Sequence, residues 1–186
     1  AHGLDHFALE PSGMVCLDVG ASTGGFTHVL LEHGATRVYA VDVGHGQLDW
    51  RLRQDPRVVV RERVNARHLS ADEVPEAVDL VVCDASFISL ATLLPAPLGL
   101  ARPGATLVAL IKPQFEVGPG DVGKGGVVRD PALRERACAA VVTWLEQAMG
   151  WPVLGLTESP IRGPKGNVEF LVAARRPAVG TPAAVA

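Results

Sequence analysis

The feature that most constrains this chain is a recurring pattern: a short run of almost purely apolar residues, closed by a charged one, then a stretch with helical spacing. Val15-Cys16-Leu17-Asp18-Val19 is the first such run, and Val38-Tyr39-Ala40-Val41 leads into Asp42. Val58-Val59-Val60 follows, Leu80-Val81-Val82-Cys83 runs into Asp84, and residues 106–111 run into Lys112. Strands this apolar are buried on both faces, which requires helices on both sides of the sheet. The spacing predicts helices over residues 24–33, 47–53 and 90–100, the last bent at Pro95 and Pro97. A helix over residues 131–149 carries its own punctuation, with Asp130 as cap, Pro131 at the first position and Gly150 as stop. Leu133, Ala137, Val141, Trp144, Leu145 and Ala148 make its apolar stripe. Residues 153–156 and 168–174 are the closing strands, and the dozen or so residues between them are too few for a parallel crossover. The expectation is an α/β fold: a mostly parallel seven-stranded sheet with one antiparallel strand and helices on both faces.

A chain of 186 residues is one domain, and 48% hydrophobic with 20% charged residues excludes a disordered one. Residues 1–13 read as a lead-in, 14–176 as the domain and 177–186 as a flexible tail. Three cysteines without close spacing exclude a disulfide framework and a four-cysteine zinc site. The six histidines show no metal-ligand spacing, so no metal is expected. The apolar runs are too short to span a bilayer, which points to a cytoplasmic protein without stable membrane association. A net charge of −3 does not mark a nucleic-acid binder. Arg51, Arg53, Arg57, Arg61, Arg63 and Arg67 nonetheless face only Asp55 and Glu62 in their window. That run is read first as a solvated face and second as an anion-facing stripe. Beside fourteen arginines there are only three lysines, Lys112, Lys124 and Lys165, all in or beside Gly/Pro-rich loops.

Open α/β sheets bind ligands beyond the carboxyl ends of their strands. Asp18, Asp42, Asp84 and Lys112 stand at such ends. The reversed final strand brings its beginning to the same rim, and Glu169 is its expected second residue. The first loop, Asp18-Val19-Gly20-Ala21-Ser22-Thr23-Gly24-Gly25-Phe26, lets backbone approach a ligand closely but departs from the dinucleotide pattern G-x-G-x-x-G. Its carboxylate would repel a pyrophosphate and tolerate a cationic ligand with an amino acid tail. Asp42 lies 22 positions beyond Gly20, the separation at which an acid meets ribose hydroxyls. Together these favour S-adenosylmethionine. Cytosine C5 chemistry needs a loop cysteine nucleophile, whereas Cys16, Cys83 and Cys138 fall in strands and a helix. The Asn/Asp-Pro-Pro-aromatic run of amino-group methyltransferases is replaced here by Asp84-Ala85-Ser86-Phe87. A carboxylate, an amine and a second carboxylate suit a hydroxyl acceptor such as a ribose 2′-hydroxyl, whose proton must leave as it attacks. A structural ion pair of Lys112 with Glu169 is the alternative for those residues.

Six stretches carry a family resemblance: residues 15–26, 41–48 (Val41-Asp42-Val43-Gly44-His45-Gly46-Gln47-Leu48), 83–89, 111–116 (Ile111-Lys112-Pro113-Gln114-Phe115-Glu116), 122–126 and 166–170. In these the chain resembles the hemolysin-A-like (TlyA-type) ribosomal RNA methyltransferases, which belong with the FtsJ-type 2′-O-methyltransferases. The resemblance implies a Rossmann-like class I S-adenosylmethionine-dependent fold and methyl transfer to a cytidine 2′-hydroxyl in ribosomal RNA. It also implies a Lys-Asp-Lys-Glu tetrad whose last three members match Asp84, Lys112 and Glu169. The first lysine, and a small S4-type RNA-binding domain, are expected upstream of residue 1, so the chain reads as the catalytic part of a longer protein. On this reading Asp18 and Gly20, Ala21, Ser22, Thr23, Gly24, Gly25 and Phe26 hold the methionine end of the cofactor. Asp42 and Val43 hold its ribose side, Asn65 and Ala66 border the adenine, and Asp84 meets both cofactor and substrate. Lys112 activates the hydroxyl with Asp84 and Glu169 positioning it, and Lys124, Arg162 and Lys165 meet phosphates of ribosomal RNA or whole subunits. The rival readings are a small-molecule or nitrogen-directed methyltransferase, a cofactor-binding module without activity, and a membrane-lytic protein.

Overall fold

The computed structural model describes residues 2–178, so most of the expected tail, residues 179–186, lies outside the described residues. Strands β1 (Val15–Val19), β2 (Arg37–Asp42), β3 (Val58–Glu62), β4 (Val78–Cys83), β5 (Ala101–Ile111), β6 (Val153–Glu158) and β7 (Phe170–Arg175) form one sheet in the order β3-β2-β1-β4-β5-β7-β6. The first five are mutually parallel. β7 runs antiparallel to both β5 and β6, which makes it the single reversed strand. This is the expected architecture.

Strand alternation sorts the core into two layers. Leu17, Val41, Val81, Leu107 and Val172 face helices α4 (Leu90–Leu93), α5 (Pro95–Gly99) and α7 (Pro131–Thr143). Cys16, Val38, Val82 and Val108 face α1 (His2–His6), α2 (Gly25–Glu32) and α3 (Trp50–Gln54). The expected lead-in therefore holds a one-turn helix whose Leu4 is buried in the second layer.

Three expectations change. The stretch 113–130, whose five glycines predict one long loop, is not wholly loop, because Pro113 starts a single helical turn, α6 (Pro113–Glu116), and residues 123 and 127 pair as a small hairpin. Proline is pre-set for a helix's first position and lacks only an N–H that would be unsatisfied there. The long helix is regular only to Thr143, and Trp144–Ala148 continues as a wider turn in which Met149 N donates to Trp144 O at 3.1 Å. That widening leaves Ala148 exposed, so the apolar stripe ends at Leu145. Finally β7 begins at Phe170, which puts Glu169 immediately ahead of the strand rather than second within it.

Candidate active site

The chain leaves β1 through α2 to reach β2 on one side, while β4 flanks β1 on the other. Such a change of direction parts the loops above the sheet and opens a crevice. A cleft of about 620 Å³ lies there, a size suited to a nucleoside-bearing ligand. Gly20, Ser22, Asp42, Val43, Asn65, Ala66, Asp84 and Lys112 line it, as do Gln47, Arg67, Ser86 and Phe87.

At one end Asp42 accepts the Ser22 N–H through Oδ2 at 2.9 Å and the Gly44 N–H through Oδ1 at 2.7 Å. A carboxylate so held by two backbone amides has a fixed orientation and keeps lone pairs for hydroxyl donors. Asn65 accepts the Arg67 N–H at 3.1 Å and so caps the short turn Ala66–His68 that forms the neighbouring wall. Val43 is exposed, while Val41, Val64 and Ile88 give the cleft apolar surface. The floor is where β1 and β4 loops touch. Gly20 has φ +78°, and a Cβ there would lie 3.0 Å from the Ala85 Cα, so only glycine combines that backbone with that approach.

The rest of the glycine-rich loop turns away. Asp18 lies on the α2 face of β1, fully buried, with Oδ2 accepting from the Thr27 amide at 3.0 Å and the Thr27 hydroxyl at 2.7 Å. Its Oδ1 has no partner, and burial pushes the carboxyl up to about 7 against the pull of those bonds. Asp18 thus shapes the loop from beneath instead of facing the cleft. Gly24, at φ +101°, points its missing side chain at Leu52 and Leu48, and Ala21 is buried. Thr23 and Gly25 open, with Gly24, on a separate depression of about 480 Å³ beside Arg51 and His28. Phe26 packs into the lower core.

At the other end, Lys112 closes β5 and Asp84 follows β4. The Lys112 Nζ lies 2.7 Å from Asp84 Oδ1 and donates to Ser86 Oγ at 2.9 Å. The Lys112 side chain is largely buried while Asp84 is open to solvent, so the pair sits at the mouth of the cleft. Glu169 is buried and does not line the cleft; its Oε1 accepts from Gln114 Nε2 at 3.2 Å and packs over Gly163, where a Cβ would lie 2.7 Å away. Burial raises the Glu169 carboxyl, and the nearby Lys112 charge draws it back. Phe87, 89% exposed and at φ +66°, stands on the lip with its ring 5.0 Å from that of Phe115. Its ring thus offers a flat apolar surface at the lip of the cleft. Ser86, Gln114 and Phe87 lie within the motifs, but nothing in the sequence assigns them a role. All three acquire their place from contacts distant in the chain.

Burial pushes the thiols of Cys16 and Cys83 up to about 12 and that of Cys138 to about 11, so none supplies a thiolate nucleophile near neutrality. Lys124 lies on one loop and Arg162 and Lys165 on another, whose Gly163 packs under Glu169. Asn167 ties these loops together, accepting from Val128 N at 3.0 Å and donating to Gly126 O at 2.8 Å. A Cβ on Gly126 would lie 3.4 Å from the Lys165 Nζ, so the two loops are in contact.

The profile of the FtsJ-like methyltransferase family matches residues 1–176. The 16S/23S rRNA (cytidine-2′-O)-methyltransferase TlyA of Mycobacterium tuberculosis is 57% identical over 169 residues, 91% of this chain and 63% of that protein. The chain therefore spans a little under two thirds of that relative's length. A crystal structure of a protein named as a hemolysin, from Lactococcus lactis, superposes with TM-score 0.90 at 45% identity, over 94% of this chain and 84% of that one. The N-methyltransferase NodS of Bradyrhizobium japonicum, solved with S-adenosyl-L-homocysteine, shares the fold at TM-score 0.67 and 17% identity, over 95% of this chain and 85% of that one.

Proposed function

The chain belongs to the FtsJ-like methyltransferases, and on that footing we propose that it transfers a methyl group from S-adenosylmethionine to a ribose 2′-hydroxyl, that of a cytidine, in ribosomal RNA. The observation that carries this reading is the pairing of two ends of one cleft: a backbone-held carboxylate at Asp42 and a carboxylate-bound ammonium at Lys112. The first suits the ribose of an adenosyl ligand, with Asn65 and Ala66 beside its base and Gly20 and Ser22 beside its amino acid end. When bound, that ligand supplies an electrophilic methyl on a sulfonium.

The protein's own part is orientation and proton management. Lys112 acts as a neutral amine once its ammonium has released a proton to solvent: it binds the acceptor hydroxyl and takes up the proton that leaves as the new O–CH3 bond forms and the sulfonium C–S bond breaks, while Asp84 and Ser86 fix the direction of the Nζ. Glu169, held by Gln114, adds a second carboxyl, raised by burial and drawn back by the charge of the same lysine. Phe87 offers a stacking face for the nucleobase next to the reacting ribose. Lys124, Arg162 and Lys165 meet the RNA backbone, and ribosomal subunits are the natural source of that RNA.

The test couples calorimetric titration of S-adenosylmethionine with transfer of labelled methyl to ribosomal subunits. Wild-type protein is expected to bind the cofactor and to lose transfer when the target carries a 2′-deoxyribose. Lys112→Ala is expected to lower transfer by about 10²–10⁴-fold while leaving the cofactor Kd within about twofold. Transfer that survives the deoxy substitution would assign the protein to nitrogen-directed chemistry, and transfer that survives Lys112→Ala removes that residue from its role. Among the described residues no helix is long and apolar enough to cross a membrane. Release of dye from lipid vesicles would favour the membrane-lytic reading, and none is expected.

A further inference from the structure

The single turn α6 presents three consecutive side chains in three directions. Gln114 reaches Glu169 at 3.2 Å, Phe115 meets Phe87 with ring centres 5.0 Å apart, and Glu116 Oε1 accepts the Leu90 N–H at 2.9 Å. Lys112, one residue ahead of the turn, holds Asp84 and Ser86. The turn therefore ties the segment between β4 and α4 to the end of β5 at successive points.

Glu116 has no part in the reaction described above. It does not line the cleft; half-buried, it is bonded to the start of α4 and lies near enough to Cys138 of α7 to raise that thiol. Burial pushes its carboxyl up to about 7. Its bond is to the amide of the first residue of α4, one of the donors that a helix cannot satisfy internally. The helix's own cap, Ser89, serves Thr92 instead. Leu90 is thus held from across the site, three residues beyond the strained Phe87 and six beyond Asp84.

We infer that Glu116 is a positioning residue for methyl transfer, fixing the Leu90 amide so that Asp84, Ser86 and Phe87 stand opposite Lys112. This rests on the function proposed above. What the role requires is an acceptor oxygen at the reach of a glutamate, and the charge is dispensable. Glu116→Gln keeps the oxygen and removes the charge; Glu116→Asp keeps the charge and withdraws the oxygen by one methylene.

The two variants and Glu116→Ala separate these requirements. Glu116→Gln is expected to keep kcat for ribosomal subunits within about threefold of wild type. Glu116→Asp and Glu116→Ala are expected to lower kcat by about ten- to a hundredfold, with the S-adenosylmethionine Kd changed about threefold or less, as a small misplacement of reacting groups does. Amide hydrogen exchange over residues 85–90 should quicken in the Asp and Ala variants and stay slow in the Gln variant, with β1–β5 unchanged in all three. An active Asp variant beside a dead Gln variant would overturn the inference, since it would make the charge the requirement. So would unchanged exchange over 85–90 in both Asp and Ala variants. If wild-type protein neither binds the cofactor nor transfers methyl, the proposed function falls, and the exchange comparison still decides whether Glu116 holds the segment.

Discussion

At Asp18 the fold holds an acid where a ligand-facing one was expected, and the reason is strand alternation. Leu17 and Val19 face the upper core, so the residue between them must face α2, where Thr27 receives it. The same burial makes it a source of pH dependence. Its carboxyl ionises near 4 in the unfolded chain but only at about 7 when folded. The folded state therefore binds more protons through that interval, and stability falls as pH rises from about 4 to about 7, then levels. Asp18→Asn removes this contribution, so its Tm relative to wild type should climb between about pH 4 and pH 7 and then level. A difference that stays constant over that range would mean that Asp18 does not ionise there. Glu116 shifts in the same direction but is common to both proteins, so it cancels. Other residues at this scale were legible because strands end on them: Asp84 and Lys112 sit at the rim whatever the loops do. Ser86 and Gln114 were not, since each is defined by a bond to a residue 26 or 55 positions away.

At the scale of elements, the loop between β1 and α2 is a pair of crossings rather than one ligand-wrapping arc. Gly20 lets it cross the start of the β4 loop, and Gly24 lets it cross α3. Gly20→Ala would force a Cβ into the Ala85 backbone from a left-handed residue, prising apart the two loops that make the cleft floor. We expect it to cost about 1–3 kcal/mol in denaturant unfolding and about tenfold in S-adenosylmethionine affinity by calorimetry. Undiminished affinity would show that the floor is not part of the cofactor site. Strands were legible as elements because burial on both faces leaves an unbroken apolar run. α6 was not, since a four-residue turn inside a glycine-rich stretch has no period to detect, and only Pro113 hinted at it. The widened turn at Trp144–Ala148 was hidden for the opposite reason: its sequence is a good helix, and packing alone decides the extra residue.

Across the whole molecule, charge is divided by rim. Where the parallel strands begin, Arg37 pairs with Glu76 at 2.7 Å, Arg102 with Asp79 at 3.1 Å and Arg57 with Asp55 at 2.7 Å. Where they end, Arg53 is neutralised by Glu62, but Arg63, Arg67, Lys124, Arg162 and Lys165 have no ion pair among the described residues. Within a net charge of −3 these cations are therefore left unpaired, and Arg67 among them lines the cleft. The arginine-rich window divides accordingly: Arg53 and Arg57 belong to the fold, Arg61 bonds backbone carbonyls, and the remainder are left to solvent or a ligand. The combined variant Lys124→Ala, Arg162→Ala, Lys165→Ala should weaken RNA binding and flatten the plot of log affinity against log salt by about 2–3, with cofactor affinity intact. An unaltered slope would move the RNA path off these loops. One reversed strand was legible from the short connection between β6 and β7; the lateral order of strands was not, because it depends on which edge each crossover takes.

Asn167 has a mechanical consequence. Its side chain grips the glycine-rich hairpin loop on two sides, and its backbone stands two residues before Glu169. Whatever seizes the cationic loops therefore pulls on the lever arm that ends in the buried acid. On the proposed function, grip and chemistry would be coupled in series, and a substrate held askew would displace the acid that stands behind the reacting lysine.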